Sequence, residues 1–459
     1  MKQFNFVDSP AASGKTRALV SHAVSEAQQG RKIVIAQPSK DLIKQTRKDI
    51  RALDAELPVK AIYSTADKPN SVSGIKAHLE AASPQQGEIL LITHQALARL
   101  EMQGYRSAWQ LFVDEIPGVF THDNFRIKYT HSLVTDHLEL EELVPGISVV
   151  RATNPQRIDD LIAQADDDQN IETFKGLLIS VRDANRMVCI QTSTWASLVA
   201  GEAKRVDFFT IQLPDSYAGW RDVSFMGANA RSTEMMVLWS HLGLADFTTH
   251  AALATSLSYD THGNGDRLTL HYLFERWSKD YADSLVDDDD TVLKSVSQTV
   301  SRFFSGPYLW QANKGHEQLL NPTGLIPHLP HGLNRPDMMG CHNVALLSAL
   351  NRDTAAIKFL SDLGLDSETI TATLAYQSEY QTAMRCSLRD PSATSPVHIV
   401  VPTKGSAEWI AERFPGASIK HLDTGLTGPK KAGRKPIGSK ALTPAERKAR
   451  MKAKKANAK

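Results

Sequence analysis

Residues 9–16 read SPAASGKT, preceded by FNFV at 4–7 and followed by a run of helical character over 17–27. A short apolar run, a loop of small residues and a helix form the setting in which a chain grips phosphate. Small side chains at Ser9, Ala11, Ala12, Ser13 and Gly14 let main-chain N–H groups turn into one concavity at a helix N-terminus, where they bind phosphate oxygens. Lys15 is then expected on the β- and γ-phosphates of a nucleotide, and the Thr16 hydroxyl on Mg²⁺. Ser9 stands where the usual GxxxxGK[ST] pattern has glycine. The loop therefore needs a partner elsewhere in the chain.

That partner is LFVDE at 111–115, a strand-like apolar run ending in two acids 99 residues beyond Lys15. Asp114 is expected to hold Mg²⁺, directly or through water, and Glu115 to orient and deprotonate an attacking water. Acidic turns are common at strand ends. Paired with the phosphate loop, this one points to ATP hydrolysis.

Two further strand-like runs lie between the motifs. KIVIA at 32–36 leads into QPSK and a helical stretch over 42–51, and EILLI at 88–92 leads into THQAL. Strands alternating with helices imply a parallel α/β sheet, whose ligands gather at the strand C-terminal ends. Ser39, Lys40, Thr93 and Gln95 would share that rim with the phosphate loop, although Ser and Thr there are also good helix caps.

The 459 residues, 42% hydrophobic and 22% charged, allow two or three globular domains. No run reaches the roughly 18 uncharged apolar residues of a membrane span, and the N-terminus has no signal-peptide pattern. A cytoplasmic protein with no membrane partner is expected. Cys189, Cys341 and Cys386 are scattered, which indicates neither a disulfide framework nor a zinc site. Residues 425–459 hold twelve Lys or Arg and one acid, net +11, against −10 for the rest. Such a Gly-, Pro- and Lys-rich tail is expected to be disordered and to bind nucleic-acid phosphate, with Arg434 and Lys435 in a GRKP segment suited to a minor groove. The acidic run 287–290 lacks Ca²⁺-ligand spacing and reads as a solvated loop.

In this order the phosphate loop, QPSKDLIKQT, THQAL and VDEI resemble motifs I, Ia, Ib and II of superfamily 2 helicases, the DEAD/DEAH-like group, of phage, plasmid or bacterial type. The resemblance implies two RecA-like domains that close on ATP and Mg²⁺, with Ser9, Ala12, Ser13, Gly14, Lys15 and Thr16 around the nucleotide. It also implies that Ser39, Lys40, Thr93 and Gln95 touch the backbone of one nucleic-acid strand. From Tyr376, YQSEYQTAMRCSLRD reads as one amphipathic helix that aligns Gln377, Gln381, Arg385 and Arg389 along a face. It is similar to motif VI, whose arginines reach across the cleft to the γ-phosphate. Its spacing is off by one residue and Met384 stands where glycine is usual, so Arg389 leads, with Arg385 and Gln381 beside it. HGLN at 331–334 and NVALL at 343–347 resemble motif V and bring Gly332 and Asn334 to the nucleotide, and YLWQAN at 308–313 is the motif IV candidate.

Two stretches compete for motif III. VSFMGAN at 223–229 precedes an amphipathic run, whereas ATN at 152–154 matches the family's SAT more literally. The first choice implies an insertion over about 118–222, whose Trp195, Tyr217 and Trp220 either stack on bases or fill a core. The expectation is an α/β protein: a first RecA-like domain over 1–232 that includes the insertion, a second over 233–424, and a basic tail over 425–459. The function it implies is an ATP-dependent helicase or translocase acting on DNA in replication, recombination or repair, with replication or repair proteins as partners. The alternative is an ATP-switched nucleic-acid clamp or loader that does not unwind.

Overall fold

The expected first strand is β1 (Lys2–Ser9), followed in chain order by β2 (Lys32–Gln37), β3 (Val59–Ala61), β4 (Glu88–Thr93) and β5 (Trp109–Asp114). The computed structural model describes residues 1–65, 70–81, 86–100, 104–126, 130–203, 205–286, 290–326 and 336–429. β2 is buried along its whole length, as a parallel strand covered on both faces must be. On one face Ile33, Ile35, Ile89 and Leu91 pack against Leu19 and Ala23 of α1 (Lys15–Gln28) and Ile43 and Ile50 of α2 (Lys40–Leu53). On the other, Val34, Ala36, Leu90 and Ile92 join a cluster that includes Phe4, Phe225 and Trp239. The period of two places alternate residues on opposite faces.

The chain then leaves this sheet. β6 (Phe120–Phe125), β7 (Leu138–Val144), β8 (Ile147–Ala152), β9 (Arg186–Gln191) and β10 (Val206–Gln212) form an antiparallel sheet in the order β6-β10-β9-β8-β7. One face carries Val150, Val188 and Phe208 against Leu161 and Leu178 of its own helices. The other, with Ile147, Val149, Cys189 and Phe209, merges with the core of the first unit. Phe209 also stacks on Phe359 of the helix Thr354–Asp362, ring centroids 4.1 Å apart. Tyr217 and Trp220 are buried core residues, and Trp195 packs partly buried against the insertion's own core. The three aromatics fill cores.

β11 (Asp222–Ala228) and β12 (Ala245–Thr249) return to the first sheet, whose order is β12-β1-β11-β5-β2-β4-β3, parallel throughout. VSFMGAN thus lies between the phosphate-loop strand and the acid-pair strand, with Asn5 opposite Ser224 and Val223 opposite Leu111. The competing stretch 152–154 ends β8 in the insertion, where Asn154 caps the helix Pro155–Gln164. The first sheet reaches Thr249, past the boundary expected at 232. ADFTT alternates too weakly to announce a strand and gains its place by pairing with β1, Lys2 opposite Ala245.

β13 (Leu268–Phe274), β14 (Leu309–Gln311), β15 (Asn343–Leu346), β16 (Val397–Thr403) and β17 (Ser418–His421) make a second parallel sheet, ordered β14-β15-β16-β13-β17. The runs at 308–313 and 343–347 are thus neighbouring strands. The fold is α/β, with two RecA-like parallel sheets and an antiparallel insertion. None of the described helices is long and apolar enough to cross a membrane. The basic residues of the tail, Arg434 and Lys435 among them, lie outside the described residues, as do Gly332, Asn334 and positions 287–289 of the acidic run.

Candidate functional site

β1, β11 and β5 are neighbours, so the turns leaving their C-terminal ends meet in one place. Each turn holds a residue in the left-handed backbone region: Ala12 at φ 66°, Asn229 at 48° and Glu115 at 67°. Among the described residues these are the non-glycine positions with positive φ. The conformation costs on the order of 1–3 kcal/mol apiece outside glycine, and such strain concentrates at functional sites. Gly14, at φ 85°, opens α1, and a Cβ there would stand 3.0 Å from Ser258 Oγ.

Lys15 is buried at 8% exposure, with Nζ donating to Pro10 O at 3.0 Å. Burial holds its pKa below the usual lysine value, against the pull of Glu115 and Asp114. Ser13 Oγ donates to Ser9 Oγ at 3.0 Å, so the serine in place of glycine ties the loop to its strand. Asp114, 1% exposed, accepts from Thr16 Oγ1 at 3.2 Å and from Gln37 Nε2 at 2.9 Å. Burial, then the neighbouring Glu115, pushes its carboxyl up to about 6. Burial also raises Glu115, with Lys15, Arg389 and Arg385 opposing.

Gln37 and His94 are residues that motif reading missed. Gln37 ends β2 and also donates to Thr46 Oγ1 at 2.9 Å. His94 Nε2 lies 3.1 Å from Asp114 O and 3.2 Å from Ala36 O. Both partners are carbonyls, so this nitrogen carries the proton. Burial holds His94 at about 4, and the ring is a neutral brace under the acid pair. Their position at strand C-termini was the only signal in the sequence.

The stretch from Tyr376 is not one helix. After the π-turn Ala372–Tyr376, the α-helix Gln377–Ala383 stops, and Arg389 closes a separate 3₁₀ turn, Ser387–Arg389, behind an extended Cys386. The even four-residue spacing is broken by this change of direction. Gln377 turns instead to the end of β11, where Nε2 donates to Ala228 O and Oε1 accepts from Asn229 Nδ2 at 3.2 Å. Gln381, Arg385 and Arg389 still reach a common cavity of about 780 Å³, whose walls also include Ala12, Gly14, Lys15, Thr16 and Glu115. Arg267 donates to the carbonyls of Ser387 and Asp390, and so holds the turn that presents Arg389.

The donors present fit a nucleotide with its metal. Ala12 and Gly14 line the cavity at the helix start, Lys15 supplies a cation, and Asp114 with Thr16 offers the hard oxygen ligands that Mg²⁺ takes. On the rim, Ser39 Oγ accepts from Leu42 N and Thr93 Oγ1 from Ala96 N, each at 3.2 Å. Both hydroxyls therefore cap helices, while Lys40 and Gln95 are exposed beside them.

No protein-family model and no curated protein matches the chain. Solved structures that it resembles include an XPD helicase (TM-score 0.45, 8% identity, 91% of this chain and 96% of that one). Others are S. cerevisiae Dbp5 bound to RNA and ADP BeF3 (0.39, 11%, 92% and 86%) and T4 UvsW (0.25, 9%, 92% and 74%).

Proposed function

We propose that this protein is an ATP-dependent nucleic-acid helicase or translocase, working on DNA in the cytoplasm in replication, recombination or repair. One observation carries the reading: Lys15, Thr16 and Glu115 from the first parallel sheet and Gln381, Arg385 and Arg389 from the second half of the chain line the same cavity. In the proposed reaction Lys15 and the main chain of Ser13 and Gly14 hold the phosphates. Asp114 and Thr16 hold Mg²⁺, which when bound neutralises phosphate charge. Glu115 takes a proton from water as its oxygen bonds to the γ-phosphorus and the bond to the β-phosphate oxygen breaks. Arg389, with Arg385 and Gln381, offsets the charge that develops on the transferred group.

A site shared by two sheets makes closure depend on the nucleotide, which suits stepping along a strand. Lys40 and Gln95, with Ser39 and Thr93 shaping the turns, are proposed to track that strand, and Gly332, Asn334, Arg434 and Lys435 retain the roles inferred from sequence. The test is ATP turnover alone and then with single-stranded DNA, duplex DNA or RNA, followed by strand displacement. Turnover stimulated by DNA with displacement supports the reading. Stimulation without displacement leaves a translocase or a clamp, and no turnover under any condition refutes it.

A further inference from the structure

The segment 258–264, crossing from the first parallel sheet to the second, touches three parts of the cavity wall. Ser258 N–H donates to Ser13 O at 2.9 Å, and the Tyr259 hydroxyl donates to Ala11 O at 3.0 Å. His262, 4% exposed, stacks on Phe414 and lies 2.7 Å from the Tyr380 hydroxyl. Asn264 Nδ2 donates to Leu388 O at 2.9 Å, inside the turn that carries Arg389. Tyr380, fully buried on the helix Gln377–Ala383, accepts the Ala11 N–H at 2.8 Å.

Both main-chain groups of Ala11 are thus held by tyrosines from outside the phosphate loop. The next residue is Ala12, whose left-handed backbone persists only where its surroundings impose it. Burial holds His262 at about 4. A neutral Nε2 can accept the Tyr380 proton while the tyrosine oxygen takes the Ala11 N–H. Tyr380 directly precedes Gln381, and Arg385 follows within the next turn of chain.

We propose that Tyr380 and Tyr259 are positioning residues which, through Ala11, lock the phosphate loop at a set distance from Arg385 and Arg389. The two hydroxyls, rather than the rings, set that register, and the segment 258–264 ties the loop and the arginine turn into one unit. The proposal rests on the nucleotide binding proposed for this cavity.

Tyr380→Phe removes the hydroxyl and keeps the ring against Trp409 and Phe414. The expected result is a kcat about 10- to 100-fold lower, with binding of a fluorescent ATP analogue changed less than about threefold. In an Arg389→Ala background the same change should cost less than about threefold, because a displaced loop loses nothing more once the arginine is gone. Tyr259→Phe, at a less buried site, should repeat the pattern if Tyr380→Phe folds poorly. Unchanged kcat, or equal losses in both backgrounds, overturns the proposal.

Amide exchange gives a readout free of turnover. The analogue should protect both the phosphate loop and residues 377–383 in the wild type, but only the loop in Tyr380→Phe. If the wild type binds the analogue without hydrolysing ATP yet shows this coupling, the positioning role stands and the hydrolysis reading falls. Normal hydrolysis without the coupling gives the reverse, and a wild type that binds no nucleotide overturns both.

Discussion

Lys15 and Glu115 line one cavity with opposite charges, and under the proposed reaction substitutions there should fail in different ways. A buried ammonium held by Pro10 O is ready to exchange that carbonyl for phosphate oxygens. Lys15→Ala is therefore expected to abolish turnover and weaken nucleotide binding at least about tenfold, whereas Glu115→Gln should keep binding and lose hydrolysis. Arg389→Ala belongs to the second kind, with turnover down on the order of 10³-fold and a smaller change in affinity. Fluorescent-nucleotide titration beside steady-state turnover checks all three. Wild-type turnover in Glu115→Gln would remove Glu115 as the base. Lys15, Thr16, Asp114 and Glu115 were readable because their chemistry is local: a loop of small residues before a helix, and two acids at a strand end. Gln37, His94, Tyr259 and Tyr380 were not, because their partners stand 77, 20, 248 and 369 residues away in the chain.

The helix Gln377–Ala383 shows what a periodic reading captures and what it misses. Gln381 lies on this helix and lines the cavity, whereas Arg385 and Arg389 reach the same cavity from beyond its end at Ala383, so the even spacing of one long helix is not what brings them there. The same helix buries Glu379 at 5% exposure, where a carboxyl oxygen accepts from Ser406 Oγ. Burial lifts this carboxyl from 4.5 to about 8. As pH rises between those values, the unfolded chain ionises Glu379 while the folded one keeps it protonated. The folded state then binds more protons, and stability falls as pH rises toward about 8. Glu379→Gln, which stays neutral, should raise the melting temperature over wild type more at pH 8 than at pH 5. An equal difference at both pH values would mean that Glu379 is already ionised in the fold.

Charge is the property that spans the whole molecule. Residues 430–459 hold all twelve basic residues of the tail, and the remaining chain is acidic. Deleting them should leave basal turnover intact and weaken binding to single-stranded nucleic acid of any sequence. If the tail neutralises about six phosphates, the slope of log K against log salt should fall by roughly 4, at about 0.7 per phosphate. An unchanged slope would make the tail a solubilising extension. By itself the sequence determined the two motifs, the alternation of strands and helices and the uneven charge, since each rests on neighbours in the chain or on residue type. Tertiary structure alone decided that β12 joins the first sheet, that one face of the insertion's sheet is continuous with the core beneath it, and that VSFMGAN rather than ATN lies between the loop and the acid pair. It also decided that Arg385 and Arg389 reach one cavity from two differently directed segments. The physical reason is that strand pairing and cavity walls join residues more than a hundred positions apart, and local propensity carries no record of such distances.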